Sequence, residues 1–136
     1  MTTPDPSTAN APLATAPFAD WVGIAVQESG EGAITLTVQQ RPELNNRWGI
    51  VHGGVIATLA DSAMARAVRL YPEVKELLGT VDLHLQYVQP ATGALTAHAR
   101  VEEVTRSLAF CRCDVRNAQG HTVALAQATI KLRRTP

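Results

Sequence analysis

Gly54-Val55-Ile56-Ala57-Thr58-Leu59-Ala60-Asp61-Ser62-Ala63-Met64-Ala65-Arg66-Ala67-Val68-Arg69-Leu70 reads as one helix, and the fold follows from it. Ala and Leu dominate, and both are strong helix formers. The run is apolar nearly all round, the mark of a buried helix rather than one lying on a surface. Arg66 and Arg69 occupy the last turns, where positive charge complements the carbonyl end of the helix dipole. Pro72 lies just beyond, as a stop signal should.

Strands flank this helix on both sides. Before it, Ile34, Leu36 and Val38 alternate with Thr35, Thr37 and Gln39. After it, Val81, Leu83, Leu85 and Tyr87 alternate with polar residues until Pro90 and Gly93, and Leu95, Ala97, Ala99 and Val101 repeat the pattern. Leu108 to Val115 and Thr122 to Leu132 face each other across Asn117-Ala118-Gln119-Gly120. Period-two alternation between turn residues is a strand signal. The expected fold is α+β: an antiparallel sheet of about five strands wrapped around one long central helix, which covers the sheet's apolar face. Residues 1–17, rich in Pro, Thr, Ala and Ser, read as a flexible tail. Residues 18–136 read as a single domain, with Phe18, Trp21, Val22 and Ile24 as apolar anchors at its start.

Charge narrows the partners. The 136 residues carry a formal net charge of +0. A balanced chain has no footprint for a nucleic-acid backbone or an anionic membrane, so any anionic ligand must be gripped by a few local donors. No apolar run approaches the roughly 20 residues that span a bilayer, and the first residues lack the pattern of a secretory signal. The two cysteines, Cys111 and Cys113, lie two apart on a strand, so both point to one face and read as reduced, packed thiols. A cytoplasmic location is the expectation.

Two features are out of place in a plain core. Asp61 stands mid-helix among Ala, Leu and Met, where a carboxylate costs several kcal/mol to desolvate unless it is paired. It is either a solvent-facing residue on an emerging stripe or an acid/base or nucleophilic carboxylate. His52-Gly53-Gly54 opens the helix. Two glycines there serve turn geometry, or they leave backbone N–H groups at the positive end of the dipole to hold a developing oxyanion. Asp61 lies eight residues beyond Gly53, about 12 Å along one helix. No single reacting carbon touches both groups of one chain, so a site using both takes them from two subunits.

The chain resembles the hotdog-fold acyl-CoA thioesterases, in particular the branch that includes the phenylacetate-pathway enzymes. The likeness runs from about Phe18 to Leu132. It rests on Asn46, His52-Gly53-Gly54, Leu59-Ala60-Asp61-Ser62-Ala63, Thr80-Val81-Asp82-Leu83, Tyr87-Val88-Gln89-Pro90-Ala91 and Ser107-Leu108-Ala109-Phe110. It implies a homodimer at minimum and a homotetramer built as a dimer of dimers, with active sites at the dimer interface. It implies hydrolysis of a small or aromatic acyl-CoA to free acid and CoA, with no cofactor beyond the coenzyme A of the substrate and no metal. It assigns Asp61 as general base or nucleophile, the Gly53 N–H as oxyanion donor, Asn46 as a carbonyl-holding amide and Thr80 as the hydroxyl that orients water. His52 and Gly54 are candidate substrate contacts, with His52 read also as a residue serving the loop at the helix start. A related branch has Glu at the position of Asp61 and Thr one turn later; here that later position is Ala65.

Other assignments are weaker in content. Arg106, Arg133 and Arg134 are candidates for CoA phosphates. Val55, Leu59, Met64 and Trp48 are candidates for acyl lining or equally for core, with Leu59 read as core. His84 and His98 read as outer-face strand residues, His121 follows a turn, and Asp82 reads as structural. A non-catalytic acyl-CoA-binding module is the alternative function; a hydratase or dehydratase would want an acid–histidine dyad that the spacing does not supply.

Overall fold

The computed structural model describes Ala16–Arg134. A short helix α1 (Pro17–Val22) leads into β1 (Ala25–Gly30) and β2 (Ala33–Gln39); a 3-10 turn (Pro42–Leu44) and a loop then deliver the long helix α2 (Gly53–Arg69). Four strands follow: β3 (Val74–Tyr87), β4 (Ala94–Val104), β5 (Leu108–Arg116) and β6 (Thr122–Arg134). They form one antiparallel sheet in the order β1-β2-β4-β5-β6-β3, so the strand that follows α2 returns to the far edge. The expected tail over residues 1–17 lies outside the described residues except for Ala16 and Pro17, and Pro17 already opens α1.

α2 begins and ends within one residue of its sequence reading, and it packs across β2 to β6. Ile56, Leu59, Ala60, Ala63, Met64, Ala67 and Val68 are buried on it. Against them the sheet offers Leu36 and Val38 from β2, Leu95 and Ala97 from β4, Ala109 and Val115 from β5, and Ala124 and Ile130 from β6. Alanine at so many inner positions lets the helix axis sit close to the sheet, because close-packed interiors trade side-chain volume for proximity. Cys111 and Cys113 both face inward as free thiols, as their spacing implied. Arg66 is also buried; desolvation pushes its guanidinium below the usual value while Asp20 of α1 pulls it back up.

The sheet has one strand more than alternation marked. β1 reads Ala25-Val26-Gln27-Glu28-Ser29-Gly30 and is exposed along its whole length, so no burial period is imprinted on it. At the other edge, β3 starts six residues before the alternation that signals it. Register breaks at Val74/Glu76, Leu77/Gly79 and Thr80/Asp82 interrupt its period, and each such bulge switches which face a side chain meets.

Candidate active site

The start of α2 is assembled by the loop before it. Asn45 and Val51 form an isolated bridge, the His52 N–H donates to the Leu44 carbonyl, and the Val51 N–H donates to the Ala91 carbonyl of the β3–β4 connection. Inside this loop the Asn46 side chain acts as a staple: its Oδ1 accepts from the Trp48 N–H at 3.0 Å and the Ile50 N–H at 3.3 Å. The Asn46 amide oxygen is thus committed to the turn, and its NH2 is the end left to meet a carbonyl.

His52 is the N-cap of α2, and its Nδ1 accepts the Gly54 N–H at 2.8 Å. An imidazole nitrogen does here what a Ser or Asp oxygen does at most caps. Two consequences follow. The Gly54 N–H is already consumed inside the protein, so of the two glycines only Gly53 offers a backbone donor: its N–H has no acceptor among the described residues. With Nδ1 occupied as an acceptor, Nε2 is the ring nitrogen without a partner among the described residues.

Side chains crowd both glycines, while the backbone of neither is left-handed. A Cβ on Gly53 would stand 2.9 Å from the Tyr87 hydroxyl and 3.0 Å from the ring carbon that carries it. A Cβ on Gly54 would stand 3.0 Å from His52 Nδ1. Tyr87, at the end of β3, donates its hydroxyl to the Gly53 carbonyl at 2.8 Å. The peptide at the helix start is therefore clamped from two sides, by an imidazole and by a phenol. Tyr87 lay within the quoted resemblance but was not singled out as a site residue; its partner is 34 positions away, and nothing local announces it.

Asp61 sits two turns further along α2, half-buried, and accepts the Thr80 hydroxyl through Oδ1 at 2.9 Å. Among the described residues Oδ2 takes no hydrogen bond. Such a carboxylate is held in one orientation by one oxygen and is free with the other to take a proton or attack. The Thr80/Asp82 register break makes this contact possible. Thr80 pairs with Ile130, which is buried on the helix side, whereas Asp82 pairs with Thr129 and accepts the Thr129 N–H. Were Val81 paired in regular alternation instead of bulged out, Thr80 would share a face with Asp82 and point away from α2.

One protomer thus brings together Asp61 with Thr80, and Gly53 with His52, Gly54 and Tyr87. It does not bring Asp61 to Gly53: an unbroken helix separates them, by about 12 Å. Leu59 is fully buried in the core, as read from the sequence, and Met64 joins it there. Trp48 is 77% exposed at the loop tip, with Arg47 over its ring. Arg133 and Arg134 are paired with Glu76 and Glu73. His84 and His98 do lie exposed on the outer face. Among the described residues no group of three or more potential ligands could hold a metal ion, and no helix is long and apolar enough to cross a membrane.

A single long helix gripped by an antiparallel sheet is the architecture of the hotdog class of proteins. The sequence profile of the thioesterase superfamily matches residues 49–124, and the chain belongs to that family of thioester hydrolases. A Halobacterium salinarum protein named "Putative esterase" is 30% identical over 125 residues, covering 84% of this chain and 83% of that protein. A solved protein of the thioesterase superfamily is 31% identical with a TM-score of 0.80, covering 93% of this chain and 96% of that one. A hypothetical thioesterase from Streptococcus pneumoniae, solved with coenzyme A, shares the fold at 19% identity and a TM-score of 0.75, over 83% of this chain and 88% of its own.

Proposed function

We propose that this thioesterase hydrolyses a small or aromatic acyl-CoA, phenylacetyl-CoA-like in class, at sites shared between two protomers. The Gly53 N–H of one protomer, at the positive end of α2, holds the thioester oxygen as it gains charge. Asp61 of the other takes a proton from water through Oδ2, with Thr80 fixing the carboxylate. The water oxygen bonds to the carbonyl carbon, the carbon–sulfur bond breaks, and the thiolate of CoA leaves and takes up the proton. Direct attack by Asp61 is the variant of this scheme; the Thr80 contact and the missing hydroxyl at Ala65 favour water. The acyl-CoA reading draws on family membership and on the pneumococcal neighbour solved with coenzyme A. A homodimer is the least assembly that closes the site, and a tetramer made of two such dimers, in the cytoplasm, is the form we propose.

The observation that carries this reading is the Thr80–Asp61 hydrogen bond, which ties the carboxylate to an edge strand and leaves Gly53 out of reach on the same chain. The test is release of free thiol from phenylacetyl-CoA, benzoyl-CoA and straight-chain acyl-CoAs. Asp61→Ala should lower turnover by about 10²–10⁴-fold, the usual worth of a general base, with an unchanged circular-dichroism spectrum. Mixing Asp61→Ala protomers with inactive Gly53→Val protomers should restore about a quarter of wild-type activity, because each mixed dimer of a two-fold pair regains one intact site. Normal turnover by Asp61→Ala, or no recovery on mixing, refutes the scheme.

A further inference from the structure

Phe18 and Trp21 were expected to anchor α1 in the core, and they do not. Ala19 and Val22 take the buried face of α1, while Phe18 is 61% and Trp21 59% exposed. Residues three apart on a helix share a face, so the two rings form one aromatic wall. That wall closes a recess of about 280 Å³ whose opposite side is the first turn of α2, with His52, Gly54, Val55 and Thr58. Exposing two large rings forfeits burial free energy, and here they flank the helix start that carries the Gly53 N–H.

The wall is rigid. The Arg41 guanidinium lies 5.0 Å from the Trp21 ring centroid and donates to the carbonyls of Trp21 and Val22, the latter at 2.7 Å. Glu43 holds the same guanidinium at 3.6 Å. Several polar atoms that line the recess are engaged within the protein. Asn45 Oδ1 accepts from Gln40 at 2.8 Å, His52 Nδ1 accepts from Gly54, and the Thr58 hydroxyl donates to the Gly54 carbonyl at 2.8 Å. With Val22, Leu44 and Val55 beside the two rings, half of the lining is apolar and suits an apolar occupant. The volume exceeds the roughly 150 Å³ that takes a benzene ring in an apolar cavity.

We infer that α1 forms the acyl wall of the enzyme: Phe18 and Trp21 receive the hydrocarbon or aryl end of the acyl group whose thioester carbonyl sits at Gly53, and they set selectivity for neutral, apolar acyl groups. The inference rests on the proposed reading of Gly53. Glu43 at the rim is paired with Arg41, so among the described residues the recess presents no free cation to an acyl group that ends in a carboxylate, such as succinyl.

The experiment compares kcat/KM for phenylacetyl-CoA, acetyl-CoA and succinyl-CoA in wild type, Phe18→Ala, Trp21→Ala and Trp21→Phe. Each alanine variant should lower the phenylacetyl-to-acetyl ratio by about tenfold or more, the worth of burying an aromatic ring against a ligand, mostly through KM. Trp21→Phe should keep most of the ratio, and succinyl-CoA, whose acyl group ends in a charge, should be the poorest of the three substrates. Both alanine changes fall on exposed rings, and circular dichroism checks that α1 and the fold persist. An unchanged ratio in both alanine variants of an active, folded enzyme overturns the inference and leaves the thioesterase scheme standing. If the wild type hydrolyses none of the three, the scheme has failed, and the recess is read directly. In a Trp48→Phe background Trp21 is the only indole of the chain. Saturable quenching of its fluorescence by phenylacetyl-CoA, weakened by Phe18→Ala, supports the aromatic wall; no quenching overturns it.

Discussion

The two edges of the sheet solve the same problem in opposite ways. An edge strand presents unpaired N–H and C=O groups to any extended chain that meets it. β1 is six residues long, polar, and bulged between Val26 and Glu28, so it offers a short and irregular template. β3 is 14 residues long, pairs only with β6, and leaves Leu78, Val81, Leu83 and Tyr87 exposed. One edge is blunted and the other is left open. Thr80 and Tyr87, which reach the Asp61 carboxylate and the Gly53 carbonyl, both belong to the open one. The difference teaches that the edge strand bearing the candidate chemistry is also the strand with apolar residues still to be covered. A second copy adding its own β3 would cover them and bring a second set of site groups alongside.

The largest effect should come from placing a charge on that edge. Val81→Arg adds a guanidinium where Val81 is 60% exposed in one protomer. If β3 pairs with β3, the two charges meet across a two-fold axis, and burying an unpaired charge costs several kcal/mol. Sedimentation should show the assembly reduced to monomers, with thioesterase activity down by about 100-fold or more for that penalty. Val26→Arg on β1 is the control and should leave mass and activity near wild type. Equal effects at both edges, or none at either, would break the comparison.

Next in size is the contact between edge and helix. Thr80→Val keeps the shape and deletes the hydroxyl that holds Asp61. Losing one hydrogen bond to a charged group costs about 1.5–3 kcal/mol, so kcat should fall by about tenfold or more, while Thr80→Ser should restore most of it. Tyr87→Phe removes only the hydroxyl given to the Gly53 carbonyl; the ring still packs against Gly53. A neutral hydrogen bond contributes about 0.5–1.5 kcal/mol, which predicts a loss of about threefold to tenfold in kcat/KM. Steady-state kinetics on the favoured acyl-CoA check both, and a larger loss for Tyr87→Phe than for Thr80→Val would invert the ranking of the two clamps.

The legible parts of this fold are those whose burial is complete. α2 announces itself by Ala and Leu on every side and by Pro72 after its end, and β2, β4, β5 and β6 announce themselves because one face of each meets α2. β1 buries nothing and so carries no period. The first half of β3 was hidden by its own register breaks, which scramble alternation while aiming Thr80 inward. The candidate site divides in the same way. Asp61 and the paired glycines stand out because each conflicts with its local context. His52 could be read as a residue serving the loop, since a cap is a local device, and it is the N-cap here. Thr80 entered through family resemblance alone, Tyr87 was not singled out, and Phe18 and Trp21 were misplaced. Their partners are set by tertiary folding, and six residues of α1 are too few for a helical period to say which face is inside.

The smallest effect belongs to the middle of the sheet, far from either edge. Cys111 and Cys113 on β5 face the core, and burial pushes both thiols up to about 12, with Glu102 adding to the first and Asp114 to the second. A raised thiol stays protonated until pH approaches that value, and only the thiolate reacts. At pH 8 about 10⁻⁴ of each thiol is ionised, and that fraction is shielded by packing. Iodoacetamide at pH 8 should therefore leave the native enzyme unmodified by mass spectrometry and its activity unaltered, whereas unfolding in guanidinium should expose two reactive thiols at once. Rapid native labelling would mean that the central strands open as readily as the edges, and the contrast between a sealed middle and one unsealed edge would no longer hold.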